Sequence, residues 1–119
     1  MSGILNSHFG EIMIADEVIA RIAGLAAMEC YGVVGMASIN MKDGLVQLLL
    51  GENLTKGIKV SVDTNKVSLD FHIIVEYGTK ISAVAENLIS TVKYKIEDMI
   101  GLEVGNINIY VEGVRIDNN

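Results

Sequence analysis

The side chains that could support catalysis are few in this chain: two histidines, His8 and His72, and one cysteine, Cys30. His8 lies near the start of the sequence, whereas His72 alternates with Asp70 in a strand-like pattern, so these two side chains could lie side by side. We identify no nucleophile to accompany the pair and interpret it as a pair of surface residues. A zinc site needs three or four Cys, His or carboxylate ligands, and the sequence shows no such spacing. We therefore predict no catalytic residue, no cofactor and no metal site.

Two further features suggest chemistry only weakly. Cys30 lies on the apolar side of a predicted helix, which is typical of a buried, inert thiol. Residues 32–35, Gly-Val-Val-Gly, have the spacing of the GxxG loop with which KH domains hold nucleic-acid backbone. Such loops usually carry basic or polar residues between the glycines, whereas this one carries two valines. We interpret it as a turn between a helix and a strand.

Composition narrows the class of protein. The chain has 119 residues, which fits a single domain 1–119, and we expect an ordered core at about 8–116. The net charge of −6 argues against binding to a phosphate backbone and against adsorption to an anionic membrane. No apolar run approaches the roughly 20 residues that span a bilayer, and the start, Met1-Ser2-Gly3-Ile4, lacks the basic segment of a signal peptide. We expect a cytoplasmic protein with no direct membrane insertion and no nucleic-acid partner.

Hydrophobic periodicity predicts the elements that would position these residues. The pattern predicts the order β-α-β-β-β-α-β, with Gly32 and Gly101 ending the two helices and Thr79 capping the second one. The predicted strands are 10–14, 33–39, 58–63, 67–77 and 106–112, and the predicted helices are 16–31 and 80–100. Residues 44–51 are apolar and bounded by glycines, and we predict a short helix or packed loop there. We expect residues 117–119 to fray.

The two helices are amphipathic and could cover one face of a single mixed sheet. The first helix carries two adjacent apolar stripes, Val18-Ile22-Leu25 and Ile19-Ala23-Ala26-Cys30. This arrangement is an α/β (α+β) two-layer sandwich. The other sheet face would then be open, as an ordinary solvated face or as a surface for self-association or a partner. We take this face as the candidate interaction surface, and its residues are Lys59, Ser61, His72, Ile74, Asn108 and Tyr110.

Several segments, in their order and spacing, resemble the alkaline shock protein (envelope stress response) family, and most closely its short YloU-like branch. They are 10–12, 17–23, 30–38, 56–60, 73–81 and 107–115, including Cys-Tyr-Gly-Val-Val-Gly-Met-Ala-Ser and Ile-Val-Glu-Tyr-Gly-Thr-Lys-Ile. The resemblance implies a cytoplasmic protein of Gram-positive bacteria that is linked to cell-envelope stress and lipid homeostasis and has no established catalytic activity. It also implies a homo-oligomer that can reach the membrane through a membrane-anchored protein partner.

Three functional hypotheses follow. The first is a non-catalytic scaffold or regulatory protein that acts through self-association and protein partners. The alternative is a regulatory subunit of a metabolic enzyme that binds a small molecule or lipid metabolite, with residues 45–50 as a lid or docking element. The third is nucleic-acid binding through residues 32–35, against which the acidic charge argues.

Overall fold

The computed structural model describes residues 3–116 and has seven strands, two α-helices and one 3-10 helix in that range. The predicted frayed end, 117–119, lies outside the described residues. The elements in chain order are β1 (Gly3–Ser7), β2 (Gly10–Ile14), α1 (Asp16–Met28), β3 (Val33–Ile39), β4 (Val46–Leu49), the 3-10 helix Gly51–Gly57, β5 (Ile58–Asp63), β6 (Lys66–Glu76), α2 (Ile81–Met99) and β7 (Glu103–Arg115). The predicted mixed α/β fold is confirmed, and the predicted order is recovered once β1 and β4 are added.

Strand β6 is the centre of a five-stranded mixed sheet. Along one edge it pairs in parallel with β7 over its whole length. Along its other edge it pairs antiparallel with β5 over its first half and with β3 over its second half, and β4 lies beyond β3. The β5–β6 hairpin turns through Thr64 and Asn65, whose φ angles of 53° and 58° are those of a type I′ turn.

The start of the chain differs from the prediction of a single sheet that includes the first predicted strand, 10–14. Strand β2 pairs with β1 in a separate two-stranded sheet, with Gly3 opposite Ile14 and Ser7 opposite Gly10. The turn that joins them holds its shape partly through the Ser7 hydroxyl, which donates to the Gly10 carbonyl oxygen at 3.1 Å. The first predicted strand is therefore present but lies outside the main sheet.

The prediction of a short helix or packed loop at 44–51 is wrong, because Val46–Leu49 is a strand. Gly44 turns the chain with a φ of 71°, and the Asn40 N–H donates to the Leu45 carbonyl oxygen at 2.9 Å. This hairpin aligns Val46 to Leu49 with Ile39 to Met36. A short apolar run has no decisive period of its own, so the available partner strand determined its conformation.

The core lies between one face of the sheet and the two helices. On α1 only one of the two predicted apolar stripes is buried, the one with Ile19 and Ala23, whereas Val18 and Leu25 remain 48% and 52% exposed. A helix that lies flat on a sheet can bury only one stripe completely, and here the small residues select it by allowing close approach. A Cβ at Gly24 would lie 3.0 Å from the Ile58 Cδ1 atom. The fully buried side chains of α2 recur at helical spacing: Leu88, Val92 and Ile96.

The end of α2 agrees with the prediction from Gly101, whereas the end of α1 and the start of α2 do not agree with the predictions. Gly101 directly follows Ile100, the C-cap of α2, and has a φ of 85°, the left-handed conformation that follows many helices. The prediction that Gly32 ends the first helix is wrong, because α1 ends at Met28 with Glu29 as its C-cap, and Gly32, also with a φ of 85°, lies in the turn that leads into β3. Thr79 was predicted to cap α2, but α2 begins at Ile81 after Lys80, and no side chain caps it. The Thr79 hydroxyl instead donates backward to the Glu76 carbonyl oxygen at 2.7 Å, which stabilises the turn after β6.

Candidate interaction surface on the open sheet face

The predicted surface residues lie on three neighbouring strands, and the register of those strands places them in rows. Lys59, Asp70 and Asn108 occupy one row across β5, β6 and β7, and His72 and Tyr110 occupy the next. Paired residues in neighbouring strands project from the same face. Because Phe71 and Ile73 project into the core, these two rows lie on the face that the helices leave open.

His72 is the centre of a fixed polar and aromatic group. Its Nδ1 atom lies 2.6 Å from Oε2 of Glu112, and its ring stacks on Tyr110 with centroids 4.8 Å apart and planes at 12°. The His72 side chain is 36% exposed and that of Glu112 is 20% exposed. Both contacts hold the imidazole in one orientation while part of it stays accessible to solvent. We call His72, Tyr110 and Glu112 the histidine cluster.

A bulge in β7 brings Glu112 into this cluster. Ile73 pairs with Val111, but Ile74 pairs with Gly113, so Glu112 is an extra residue with no direct partner on β6. Bulges bend a strand and redirect a side chain. Here the carboxylate of the unpaired residue reaches the imidazole of the preceding row.

The adjacent row carries a second polar contact. The Asn108 Nδ2 atom donates to Oδ1 of Asp70 at 2.9 Å, and both side chains lie near the exposed surface. Lys59 is directly opposite Asp70 on β5, and Ser61 is opposite Ser68 in the row beyond. Five of the six predicted residues therefore lie in neighbouring rows, which carry charges of both signs at the β5 end; the five are Lys59, Ser61, His72, Asn108 and Tyr110.

Ile74 contributes little exposed area, because it is only 5% exposed. It pairs with Gly35 of β3, and the side chains of Leu48 and Leu50 lie over that glycine, where an added Cβ would meet their methyl groups at 2.6 and 3.0 Å. Tyr110, by contrast, is 46% exposed. The accessible centre of the surface is therefore the stacked pair of His72 and Tyr110.

The sequence did not predict the partners of two acidic residues on this surface, Asp70 and Glu112. His72 was considered with Asp70, but its partner is Glu112, which lies 40 positions away in the sequence, whereas Asp70 binds Asn108. Both acidic residues lie on the polar side of their alternating strands, so their face was predictable. Their partners depend on the β6–β7 register, which no local pattern specifies.

The arrangement supports recognition better than covalent chemistry. Cys30 lies away from the open face, in the core under the helices, where its Sγ atom donates to the Ala26 carbonyl oxygen at 3.5 Å. Burial raises the pKa of this thiol, the hydrogen bond with Thr91 opposes that rise in part, and the nearby Glu29 carboxylate adds a smaller increase. The thiol is therefore protonated near neutral pH and a poor nucleophile. The prediction of a buried cysteine is confirmed.

The fold and this surface define a class: a small two-layer α/β domain with a fixed polar and aromatic sheet face. Within residues 3–116, no three His, Cys, Asp or Glu side chains come together as a metal site. In the same range neither helix is both long and apolar enough to span a bilayer.

The family is established by comparison with known proteins. The alkaline shock protein family, whose function is described as cell envelope-related, matches residues 5–116, and this chain belongs to that family. The resemblance inferred from the sequence is thereby confirmed.

Relatives at several levels of identity support the assignment. The uncharacterised protein YloU of Bacillus subtilis (strain 168) is 50% identical over 119 residues, with 99% of each chain covered. The uncharacterised protein Spy1614 of Streptococcus pyogenes is 38% identical, with 94% of this chain and 93% of the relative covered. A Streptococcus pyogenes protein named stress response regulator gls24 homolog is 28% identical, with 89% of this chain and 59% of the relative covered. A crystal structure of Era with MgGDPNP and 16S ribosomal RNA nucleotides superposes with a TM-score of 0.43 at 14% identity, covering 95% of this chain and 35% of that one, which is too distant to support an argument.

Proposed function

We propose that this chain is a non-catalytic scaffold or regulatory protein of cell-envelope stress and lipid homeostasis, which acts in the cytoplasm through self-association and protein partners. The observation that carries the proposal is the open sheet face, where the His72 ring contacts both Glu112 and Tyr110 while Tyr110 stays 46% exposed. A partly exposed tyrosine next to an oriented imidazole offers apolar area and hydrogen-bonding groups at low entropic cost to a binding partner.

Several further observations support this proposal. The family is cell envelope-related, and a more distant relative is named a stress response regulator. The open face also carries Lys59 and Asp70, so it can match charges of either sign on a partner. A membrane-anchored protein partner would bring the chain to the envelope, because association with such a partner needs no membrane-spanning segment in this chain.

Crosslinking and affinity capture from cells, with membrane fractions retained, test the proposal. The wild-type chain is compared with His72→Ala and Tyr110→Ala on the open face and with Tyr94→Ala on α2. Tyr94 is a matched control, since it is an exposed tyrosine on the helical side of the domain. We expect the same specific partner with the wild-type chain and with Tyr94→Ala, and loss of that partner with both open-face variants. Equal recovery with all four proteins would show that the open face is not the binding surface.

A second candidate function rests on the end of the β3–β4 hairpin. A concave surface of about 640 Å³ lies there, lined by Ser38, Ile39, Asn40, Leu45, Val46, Gln47 and Leu48. Its mixture of leucine side chains and a few polar groups suits an apolar small molecule or a lipid metabolite, as expected of a regulatory subunit of a metabolic enzyme. Native mass spectrometry of protein purified from cells tests this candidate. A bound metabolite that is lost in Leu45→Asp would support it, and an unliganded protein with no enzyme bound would contradict it.

A further inference from the structure

Strand β7 has a free edge along its whole length. It has 13 residues and pairs only with β6 among the strands of residues 3–116. Edge strands in monomeric proteins are usually short or carry lysine, proline or bulges, which hinder pairing with another chain. The two bulges of β7 lie near its ends, and residues 106–111 between them are regular. Strand β7 is long and contains neither lysine nor proline. Its outer row of backbone N–H and C=O groups is therefore a template for another strand.

The sequence of β7 is complementary to itself when it is read in the opposite direction. In an antiparallel pair of two copies centred on Ile109, residues whose numbers add up to the same total face each other. In this pairing apolar residues face apolar residues, glycine faces glycine, and opposite charges face each other at both ends of the strand. Glu103 faces Arg115 of the second copy, Val104 faces Val114, Gly105 faces Gly113, Asn106 faces Glu112, Ile107 faces Val111, Asn108 faces Tyr110, and Ile109 faces itself.

Strand β7 has two bulges, one on each side of Ile109. Relative to β6, the register shifts once between Val104 and Asn106 and once between Val111 and Gly113. The extra residues are Gly105 and Glu112, so the bulges lie on opposite sides of Ile109 but are not mirrored, and in the second copy Gly105 would face Gly113 and Glu112 would face Asn106. The apolar side chains stay together under this operation: Ile107 and Val111 both pack partly against the core, and so does Ile109.

We propose that a second copy of this chain pairs with β7, antiparallel and with a two-fold axis at Ile109, to form a continuous sheet across two domains. This inference rests on the self-association in the proposed function and names the surface that carries it. A two-fold contact of this kind is closed, because the same edge is used by both copies. The open sheet face remains accessible on both copies for other partners.

Different residues supply affinity and register in this pairing. The core-side row of Ile107, Ile109 and Val111 is only partly buried at the free edge, and pairing would cover more of it.

Each copy carries a charge of −6, so two copies repel at long range, and we expect salt to favour the dimer by screening this repulsion. A shift of two residues would place Val104 opposite Glu112 of the second copy, so the side-chain pattern specifies one register.

The ladder is expected to run from Gly105 to Gly113. At the start of β7 the Val104 N–H already donates to the Glu97 carboxylate of α2 at 3.1 Å, which ties this end of the strand to its own domain. The Glu103 and Arg115 side chains would therefore flank the ladder as exposed pairs.

Site-directed thiol crosslinking tests both the pairing and its register. Ile109→Cys and Ile107→Cys are each prepared in a Cys30→Ala background, which leaves one thiol per chain. Directly opposed Cα atoms in an antiparallel pair are about 4.5–5.5 Å apart, which a disulfide can bridge. Position 107 faces position 111 of the second copy, so its own counterpart is four residues, or about 13 Å, further along the strand.

We therefore expect mild oxidation to produce a reducible dimer with Ile109→Cys and not with Ile107→Cys. The two positions are matched, since both are isoleucines on the core side of β7 with intermediate exposure. No crosslink at position 109, or equal crosslinking at both positions, would overturn the proposal.

Charge exchange supplies an independent measurement by analytical ultracentrifugation. Glu103→Arg and Arg115→Glu should each weaken the dimer by about threefold to thirtyfold, since each replaces two exposed attractive pairs by repulsive ones. The double variant should restore the wild-type dissociation constant. Each residue also faces an opposite charge on its own β6, Lys66 or Glu76, so melting temperatures of the diluted variants serve as the control for folding. Two weakened single variants without rescue in the double variant would contradict the register.

These outcomes separate this inference from the proposed function. A wild-type chain that self-associates but fails both β7 tests would retain the proposed function and reject this edge. A chain that crosslinks at position 109 but loses no partner on substitution of His72 would retain the edge and reject the open face as the partner surface.

Discussion

The contact between His72 and Glu112 should make a measurable contribution to stability, and a double-mutant cycle isolates it. The perturbations are His72→Ala, Glu112→Ala and the combination of both. The Nδ1–Oε2 distance of 2.6 Å is short, and the carboxylate is an acceptor that strengthens the bond. A hydrogen bond to a charged group contributes about 1.5–3 kcal/mol when it is well protected from solvent.

Solvent exposure reduces the expected magnitude. The two side chains are 36% and 20% exposed, so water competes for both groups and screens their charges. We therefore expect a coupling free energy of about 0.5–1.5 kcal/mol. His72→Ala should destabilise more than Glu112→Ala, because it also removes the stacking on Tyr110, and such aromatic contacts contribute about 0.5–1.5 kcal/mol.

Urea unfolding followed by far-ultraviolet circular dichroism is a suitable assay, since the chain has no tryptophan to report on folding by fluorescence. All variants are compared at one low protein concentration, because association would raise the apparent stability. The exposed pair of Asp70 and Asn108 supplies a matched control cycle on the same face, with an expected coupling below about 0.5 kcal/mol. If His72→Ala and Glu112→Ala are additive within about 0.3 kcal/mol, the contact does not stabilise the fold and the reasoning is refuted.

Three further predictions concern the core. Gly57→Ala should lower the free energy of unfolding by about 1–3 kcal/mol, because the added Cβ would lie 2.8 Å from the Met36 Cβ and 2.9 Å from a backbone oxygen. The control Gly10→Ala has open space around it and should change the free energy of unfolding by less than about 0.5 kcal/mol. Equal effects of the two variants in urea unfolding would contradict the packing. Leu88→Ala should cost about 2–5 kcal/mol because Leu88 is fully buried, and a loss below about 1 kcal/mol would show that the core collapses around the cavity. The folded state holds the Cys30 proton more tightly than the unfolded chain does, so the free energy of unfolding should fall as pH rises above about 9.0. This fall should be shallower in Cys30→Ala. Parallel pH profiles of stability for the two proteins would refute the burial of this thiol.

Local patterns in the sequence were sufficient for most elements. The predicted ranges of β3 and β5 agree with the structure residue by residue. In β5 apolar and polar side chains alternate with a period of two, which is a strong local signal, whereas β3 is a mainly apolar run without that alternation. The prediction failed for β4, where a run of leucines has no decisive period. It was also incomplete for α1, since an isolated sequence cannot show which of two apolar stripes will face the sheet.

The candidate surface could be predicted as a face but not as a set of contacts. Alternation in β6 and β7 assigns His72, Asn108 and Tyr110 to the side opposite the core, and the structure has them there. The same alternation gives no information on which residue of β7 lies next to which residue of β6. That register follows from a crossover through α2 and from two bulges, which are settled by packing across the whole domain.

What the sequence determined by itself was therefore the class of the chain: an acidic α/β domain of the alkaline shock protein family, with few groups suited to catalysis. These properties depend on composition and on the side chains of near neighbours, which are explicit in the sequence. Only the tertiary structure joined His72 to Glu112 across 40 positions and left β7 at a free edge. Both depend on which strands become neighbours, and strand order is decided by how the helices and the sheet together bury their apolar surface.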